Sequence, residues 1–289
     1  DTGNDTGGGT GSTLTALNDA EKHGKTKPDI ENIKGNILLV EDVLVNQKVA
    51  IGLMSGFNLN IEVANNGLKA VQMHEEKNYD LILMDCQMPV MDGFDATRII
   101  RKTNTDISII AVTANALSTD QSKCLESGMN DYLCKPYNRK QLTSILHKWL
   151  PIKKPITEQP QALVSVSNDK KNTLEKHNPS HVNYNKLHEM KALMGDVFPQ
   201  LIPAYIEQSD DITSSMLNNL KESDLKTLER HAHSMKSSSD NLGAEILSFL
   251  SSDLEEMTKK NTEIEIFQNK IHAITEEYKK VKIYLLEYN

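Results

Sequence analysis

Cysteine is scarce in this chain: Cys86, Cys124 and Cys134 are the three in 289 residues, and no two stand in a CxxC spacing. An odd number without that spacing offers no disulfide framework, so a reduced, cytoplasmic protein is the expectation. No apolar run approaches the roughly 20 residues that a membrane span requires. Basic charge is also short, the formal net charge being −8. Phosphate backbones need a basic face, so nucleic acid is not expected as a partner. The nine histidines include no H-E-x-x-H or comparable paired-ligand spacing, which sets aside a histidine metal enzyme. The chain has no initiator methionine and does not open on a basic stretch followed by an apolar one. A signal peptide is therefore not expected, and a fragment of a longer protein is.

Two glycine-bearing stretches imitate phosphate loops. "GGGTGS" at 7–12 has no apolar strand before it, and "GKT" at 24–26 has Asp19 where a P-loop would begin with glycine. Both fall in residues 1–35, a Gly-, Thr- and Asn-rich stretch without periodicity that reads as a flexible linker.

From 36 to 150 the pattern changes. The short runs "NILLV", "LNIEVA", "LILM", "ISIIAV" and "DYLC" alternate with helix-length amphipathic stretches. Strands alternating with helices predict an open parallel α/β sheet covered on both faces. Residues 151–183 are polar and punctuated by Pro151, Pro155, Pro160 and Pro179, a second flexible linker. A coil of that length has an end-to-end distance of about 30 Å, enough to let the domain on its far side reach the one before it. Residues 184–289 are helix-periodic with short connections, which predicts an antiparallel bundle. Within it Leu225, Leu228, Ala232, Met235 and Leu242 recur at helical spacing, with Ser239 in the remaining slot, and define one buried stripe.

Ligands of parallel α/β sheets sit at the carboxyl ends of the strands. Here those ends carry Glu41 and Asp42, then Asp85, then Thr113, then Lys135. Single acidic residues often cap helices after strands. Three together repel: two like charges 4 Å apart cost about 4 kcal/mol at an effective dielectric of about 20. Such a cluster calls for a cation, and hard oxygen donors suit Mg²⁺. A carboxylate is then a competent nucleophile toward phosphorus, with Mg²⁺ and Lys135 neutralising the phosphoryl oxygens and the Thr113 hydroxyl donating to one. Asp85 precedes a Met-Pro turn expected to hold it exposed, whereas Glu41 and Asp42 are placed to hold metal.

The segments "LLVEDVLVNQ", "DLILMDCQMPVMDG", "IIAVTANAL" and "GMNDYLCKP" closely resemble response-regulator receiver domains of the kind fused to hybrid sensor histidine kinases. The resemblance covers 36–150 and implies a flavodoxin-like doubly wound fold with five strands. It implies Asp85 as phosphoacceptor, and metal ligation by Asp42, by Glu41 through water and by the backbone carbonyl of Cys86. It further implies a switch pair of Thr113 and Tyr132 and phosphate contact by Lys135.

An aspartyl phosphate needs a partner, and "HAHSMKSSSDNLGA" at 231–244 offers one, because a neutral imidazole is a good phosphoryl nucleophile. His233, Lys236 and Ser237 share one face at the edge of the buried stripe, being three and four residues apart. His231 lies about 200° from His233 around the helix and cannot share that face. The stretch resembles the signature of histidine-containing phosphotransfer (Hpt) domains, which are four-helix bundles. His233 falls on the phosphorylated histidine, Lys236 on its accompanying lysine, and Gly243 and Ala244 on the closing pair. The family often has glycine where Ser237 stands; serine is small enough to be tolerated there, and any slight hindrance of receiver docking is expected to show in the transfer rate. "HEMKAL" at 188–193 opens like a kinase dimerisation box but lacks Thr-Pro, and glycine boxes for ATP are absent.

These resemblances imply a two-component phosphorelay module from a hybrid kinase, expected to be bacterial with its parent anchored in the inner membrane. A kinase phosphohistidine outside the chain is expected to load Asp85. The phosphoryl group then passes to His233 and on to a separate response regulator. The alternative is a binding-only scaffold whose receiver regulates its parent by docking.

Overall fold

The computed structural model describes residues 33–113, 118–150, 181–260 and 263–288. The two glycine-bearing stretches, the expected linker 1–35 apart from its last residues, and nearly all of the expected linker 151–183 lie outside the described residues.

Five strands form one parallel sheet: β1 (Lys34–Val40), β2 (Asn58–Ala64), β3 (Leu81–Asp85), β4 (Ser108–Thr113) and β5 (Asp131–Cys134), in the order β2-β1-β3-β4-β5. The helices α1 (Leu44–Leu53), α2 (Gly67–Glu76), α3 (Gly93–Thr103), α4 (Ser118–Ser127) and α5 (Arg139–Trp149) alternate with them. Side chains of a strand point alternately to opposite faces. Leu38, Val40, Ile82, Met84, Ile109 and Ala111 accordingly join one apolar core with Ala70, Ala96, Ile100 and Cys124. Ile37, Leu39, Leu81, Leu83, Ile110 and Val112 join the other with Val45, Val49, Leu142 and Leu146. Every residue of β3 is buried, as a central strand covered on both faces must be. Polar side chains close the first turns: Asn66 caps α2, Asp92 caps α3, and Asn138 with Gln141 forms a reciprocal capping box on α5.

The second half is helical: α6 (Tyr184–Met194), a 3-10 segment (Gly195–Gln200), α7 (Leu201–Lys221), α8 (Leu225–Asn241), α9 (Glu245–Thr258) and α10 (Ile264–Glu287). The stripe of α8 is the one read from the sequence. Leu228, Ala232, Met235, Ser239 and Leu242 are all 0% exposed, whereas Leu225 is 36% exposed because it opens the helix beyond the bundle's core. Ser239 tolerates that burial because its hydroxyl meets the Tyr205 hydroxyl at 2.9 Å.

The second core of the sheet does not end at α1. It continues through Met194, Phe198 and Leu201 into the bundle, and α1 lies against α6, the 3-10 segment, α7 and α8. Gly52 permits this approach: a Cβ there would lie 2.5 Å from the Met194 Cγ. The bundle therefore sits on the face of the sheet domain beside the carboxyl end of β1. No described helix is long and apolar enough to cross a membrane.

Candidate functional site

Strand order reverses between β1 and β3, the crevice where open α/β sheets place their ligands. Glu41 and Asp42 follow β1, and Asp85 ends β3 beside them. One oxygen from each carboxylate lies within 4.8 Å of the other two. Lys135, just past β5, reaches across with its Nζ 2.6 Å from Glu41 Oε2 and 2.6 Å from Asp85 Oδ2. The backbone brings it there, since its N–H donates to the Thr113 carbonyl at 2.7 Å. The backbone N–H of Gln87 donates to Asp85 Oδ1 at 3.1 Å. Gly93 makes the turn after Asp85 possible, because a Cβ there would lie 2.1 Å from the Asp85 carbonyl.

Asp85 is 3% exposed, so the expectation of an exposed carboxylate is corrected. Lys135 covers it, its ammonium 2.6 Å from Asp85 Oδ2 and its own side chain 9% exposed. Burial pushes the Glu41 carboxyl up to about 7, against the pull of Lys135 and with Asp85 adding repulsion. Burial, then Asp85, pushes Asp42 up to about 6. Burial alone would lower Lys135, but Asp85 and Glu41 outweigh it and the ammonium is held charged. Three carboxylates against one ammonium leave unbalanced negative charge in a low-dielectric crevice. The donors are all hard oxygens, and Mg²⁺ fits such a set.

Thr113 is buried at the end of β4, whereas Tyr132 on β5 is 37% exposed and pairs in register with Ala111. The Cys86 carbonyl accepts from the Gly93 N–H at 3.2 Å, and the Cys86 thiol lies 4.0 Å from the buried Cys124 thiol.

The bundle contributes the opposite wall. A cleft of about 650 Å³ is lined from the sheet domain by Asp42, Cys86 and Gln87 and from the bundle by His233, Ser234 and Glu255. His233 Nδ1 lies 3.0 Å from Glu255 Oε1, and Lys236 Nζ lies 3.1 Å from Glu255 Oε2. Burial would raise the Glu255 carboxyl, but the His233 hydrogen bond, the His233 charge and Lys236 hold it down at about 2. With Nδ1 occupied, Nε2 is the nitrogen left for chemistry. His231 does not line the cleft, and its Nδ1 is buried without a protein partner.

Two residues of this site escaped the sequence reading. Glu255 gave a faint signal, an acid on the inner stripe of α9 with Leu247, Ser251 and Leu254. Asn46 gave none. Its Nδ2 donates to Glu41 Oε1 and to Ser237 Oγ, both at 3.0 Å, and its Oδ1 accepts from Asn241 Nδ2 at 2.9 Å. Ser237 thus takes part in a hydrogen bond across the interface, in keeping with a serine tolerated at this position.

Residues 37–147 match the family model described as the response regulator receiver domain, and residues 200–283 match that of the Hpt domain. Among curated relatives, hybrid signal transduction histidine kinase K of Dictyostelium discoideum is 33% identical over 147 residues, covering 48% of this chain and 12% of that protein. Two-component system protein A of Emericella nidulans is 45% identical over 118 residues, covering 39% of this chain and 17% of that protein. The chain thus matches only a small part of either relative's length. Among solved structures, the receiver domain of a sensor histidine kinase from Pseudomonas aeruginosa PAO1, with a magnesium ion in its active-site cleft, is 46% identical. It covers 40% of this chain and 97% of that one, with a TM-score of 0.39. Both curated relatives are eukaryotic, so the expected bacterial source is without support.

Proposed function

We propose that this chain, which matches the response regulator receiver domain and the Hpt domain models, is a phosphorelay module whose relay runs between Asp85 and His233 of the same chain. The observation that carries this reading is the shared cleft, with Asp42 and Cys86 on one wall and His233 on the other.

In this reading a carboxylate oxygen of Asp85 attacks the phosphorus of a kinase phosphohistidine supplied from outside the chain. The P–N bond breaks and its electron pair returns to the donor imidazole. The Nε2 lone pair of His233 then attacks the same phosphorus. A P–N bond forms, the P–O bond breaks, and Asp85 is released as carboxylate. The proton on His233 Nδ1 stays in place and donates to Glu255, which orients the ring and leaves the Nε2 lone pair for the attack. Asp42, Asp85, Glu41 and the Cys86 carbonyl would hold Mg²⁺, which when bound neutralises phosphoryl oxygens. Lys135 supplies a second positive charge at the same oxygens. The Thr113 hydroxyl donates to the phosphoryl group, and Tyr132 moves with it. Lys236 holds Glu255 and offers charge to the phosphoryl group on His233. The onward acceptor is a separate response-regulator receiver, and the module works in the cytoplasm.

The test is acetyl phosphate with Mg²⁺, followed by mapping of the modified residues by mass spectrometry under mild alkaline conditions. Label is expected first on Asp85 and then on His233, and Asp85→Ala should lose both. A docking scaffold without relay activity would never carry phosphate on His233.

A further inference from the structure

We propose that Asn46 on the receiver, with Ser237 and Asn241 on the bundle, forms a positioning clamp that fixes His233 in register over the Asp85 edge. The proposal rests on the reading of Asp85 and His233 as relay partners.

The amide of Asn46 has two N–H groups and one carbonyl oxygen. Both N–H groups and the oxygen are engaged, by Glu41, Ser237 and Asn241. The residue is 4% exposed, so water cannot substitute freely for these partners. The orientation is also fixed by chemistry. Turning the amide over would set its oxygen against the Glu41 carboxylate and its N–H groups against those of Asn241.

The placement on α8 matters. Ser237 and Asn241 come four and eight residues after His233, so all three lie on one face, spaced about 6 Å per step along the axis. Asn46 sits in the first turn of α1, directly after the Glu41-Asp42 pair. A bond from Asn46 to α8 therefore ties the acidic edge to the helix that carries the histidine. The apolar part of the interface, where Met194 passes over Gly52, supplies area but little direction. Two further polar contacts among the described residues, Lys48 to Gln200 at 3.0 Å and Ser55 to the Leu193 carbonyl at 3.3 Å, are solvent-exposed and engage segments other than α8. Register along α8 thus depends on the Asn46 clamp. A shift of one ångström between reacting atoms is enough to slow transfer on the order of a hundredfold.

The experiment uses the full chain, labelled on Asp85 with acetyl phosphate. The first-order rate of phosphoryl movement to His233 is read from the labelled pool. Ser237→Ala with Asn241→Ala should slow transfer about tenfold while labelling of Asp85 and the bundle's helical melting stay unchanged. Asn46→Ala should slow it at least as much, and the triple variant no further than Asn46→Ala alone. Losses that multiply would mean that the two sides act independently and would overturn the clamp. A Ser237→Ala, Asn241→Ala chain that transfers within twofold of wild type would overturn it as well.

Discussion

At His233 one ring nitrogen faces a carboxylate and the other faces the cleft, and the difference lies in Glu255. Its carboxyl is held at about 2 against an ordinary 4.5. A depressed folded value means that its contribution to stability is complete above about pH 4.5 and is lost as the pH falls toward 2. Thermal melts across that window should show the wild type losing more stability than Glu255→Gln, whose amide cannot titrate. A matching slope in both would rule the ion pair out as a source of that stability. At the acidic edge, Asp42→Ala should abolish Mg²⁺-dependent labelling of Asp85 by acetyl phosphate. It should leave the melting temperature in metal-free buffer equal or higher, since a partly buried repelling charge is gone. Labelling at the wild-type rate would refute the metal assignment. The cluster of Glu41, Asp42, Asp85 and Lys135 was legible in the sequence because each residue directly follows an apolar run that reads as a strand. Glu255 was not, because its partner lies 22 residues away on another helix and helical spacing describes only one helix at a time.

Among the elements, the strands were legible to within a residue or two, since buried parallel strands leave uninterrupted aliphatic runs. The stripe of α8 was equally plain. Met235 lies at its centre, fully buried, and Met235→Ala should cost the bundle about 2–5 kcal/mol by denaturant titration. α1 carried a second message that periodicity hides. Its residues Val45, Val49 and Leu53 read as an ordinary core face, yet Gly52 marks a crossing point for Met194. Gly52→Leu should raise the intrinsic helix propensity of α1 and still displace the bundle. The expected result is Asp85 labelling near the wild-type level with transfer to His233 slowed at least tenfold. Unchanged transfer would mean that the bundle does not need this seat.

For the whole molecule, both walls of the cleft belong to one chain, so their meeting is a first-order event. A short covalent connection gives an effective concentration on the order of mM. The half-time of transfer should therefore be independent of protein concentration and should survive an excess of His233→Gln chains. Efficient complementation between Asp85→Ala and His233→Gln chains at low micromolar concentration would instead assign the transfer to a dimer. The change from strand–helix alternation to helical periodicity was legible in the sequence, but the seat of one half on the other was not, because nothing in a sequence marks which amphipathic face meets which. That seat also works as a turnstile. The face of α8 that carries His233 is occupied by the chain's own receiver, so an outside receiver is admitted only while the seat is vacant. If the seat is vacant one part in a hundred, the visitor's apparent affinity falls about a hundredfold, whatever its intrinsic fit. In the proposed relay, the contact that speeds loading of the histidine would thus also meter its unloading, with a phosphorylated bundle held in reserve until the two domains part.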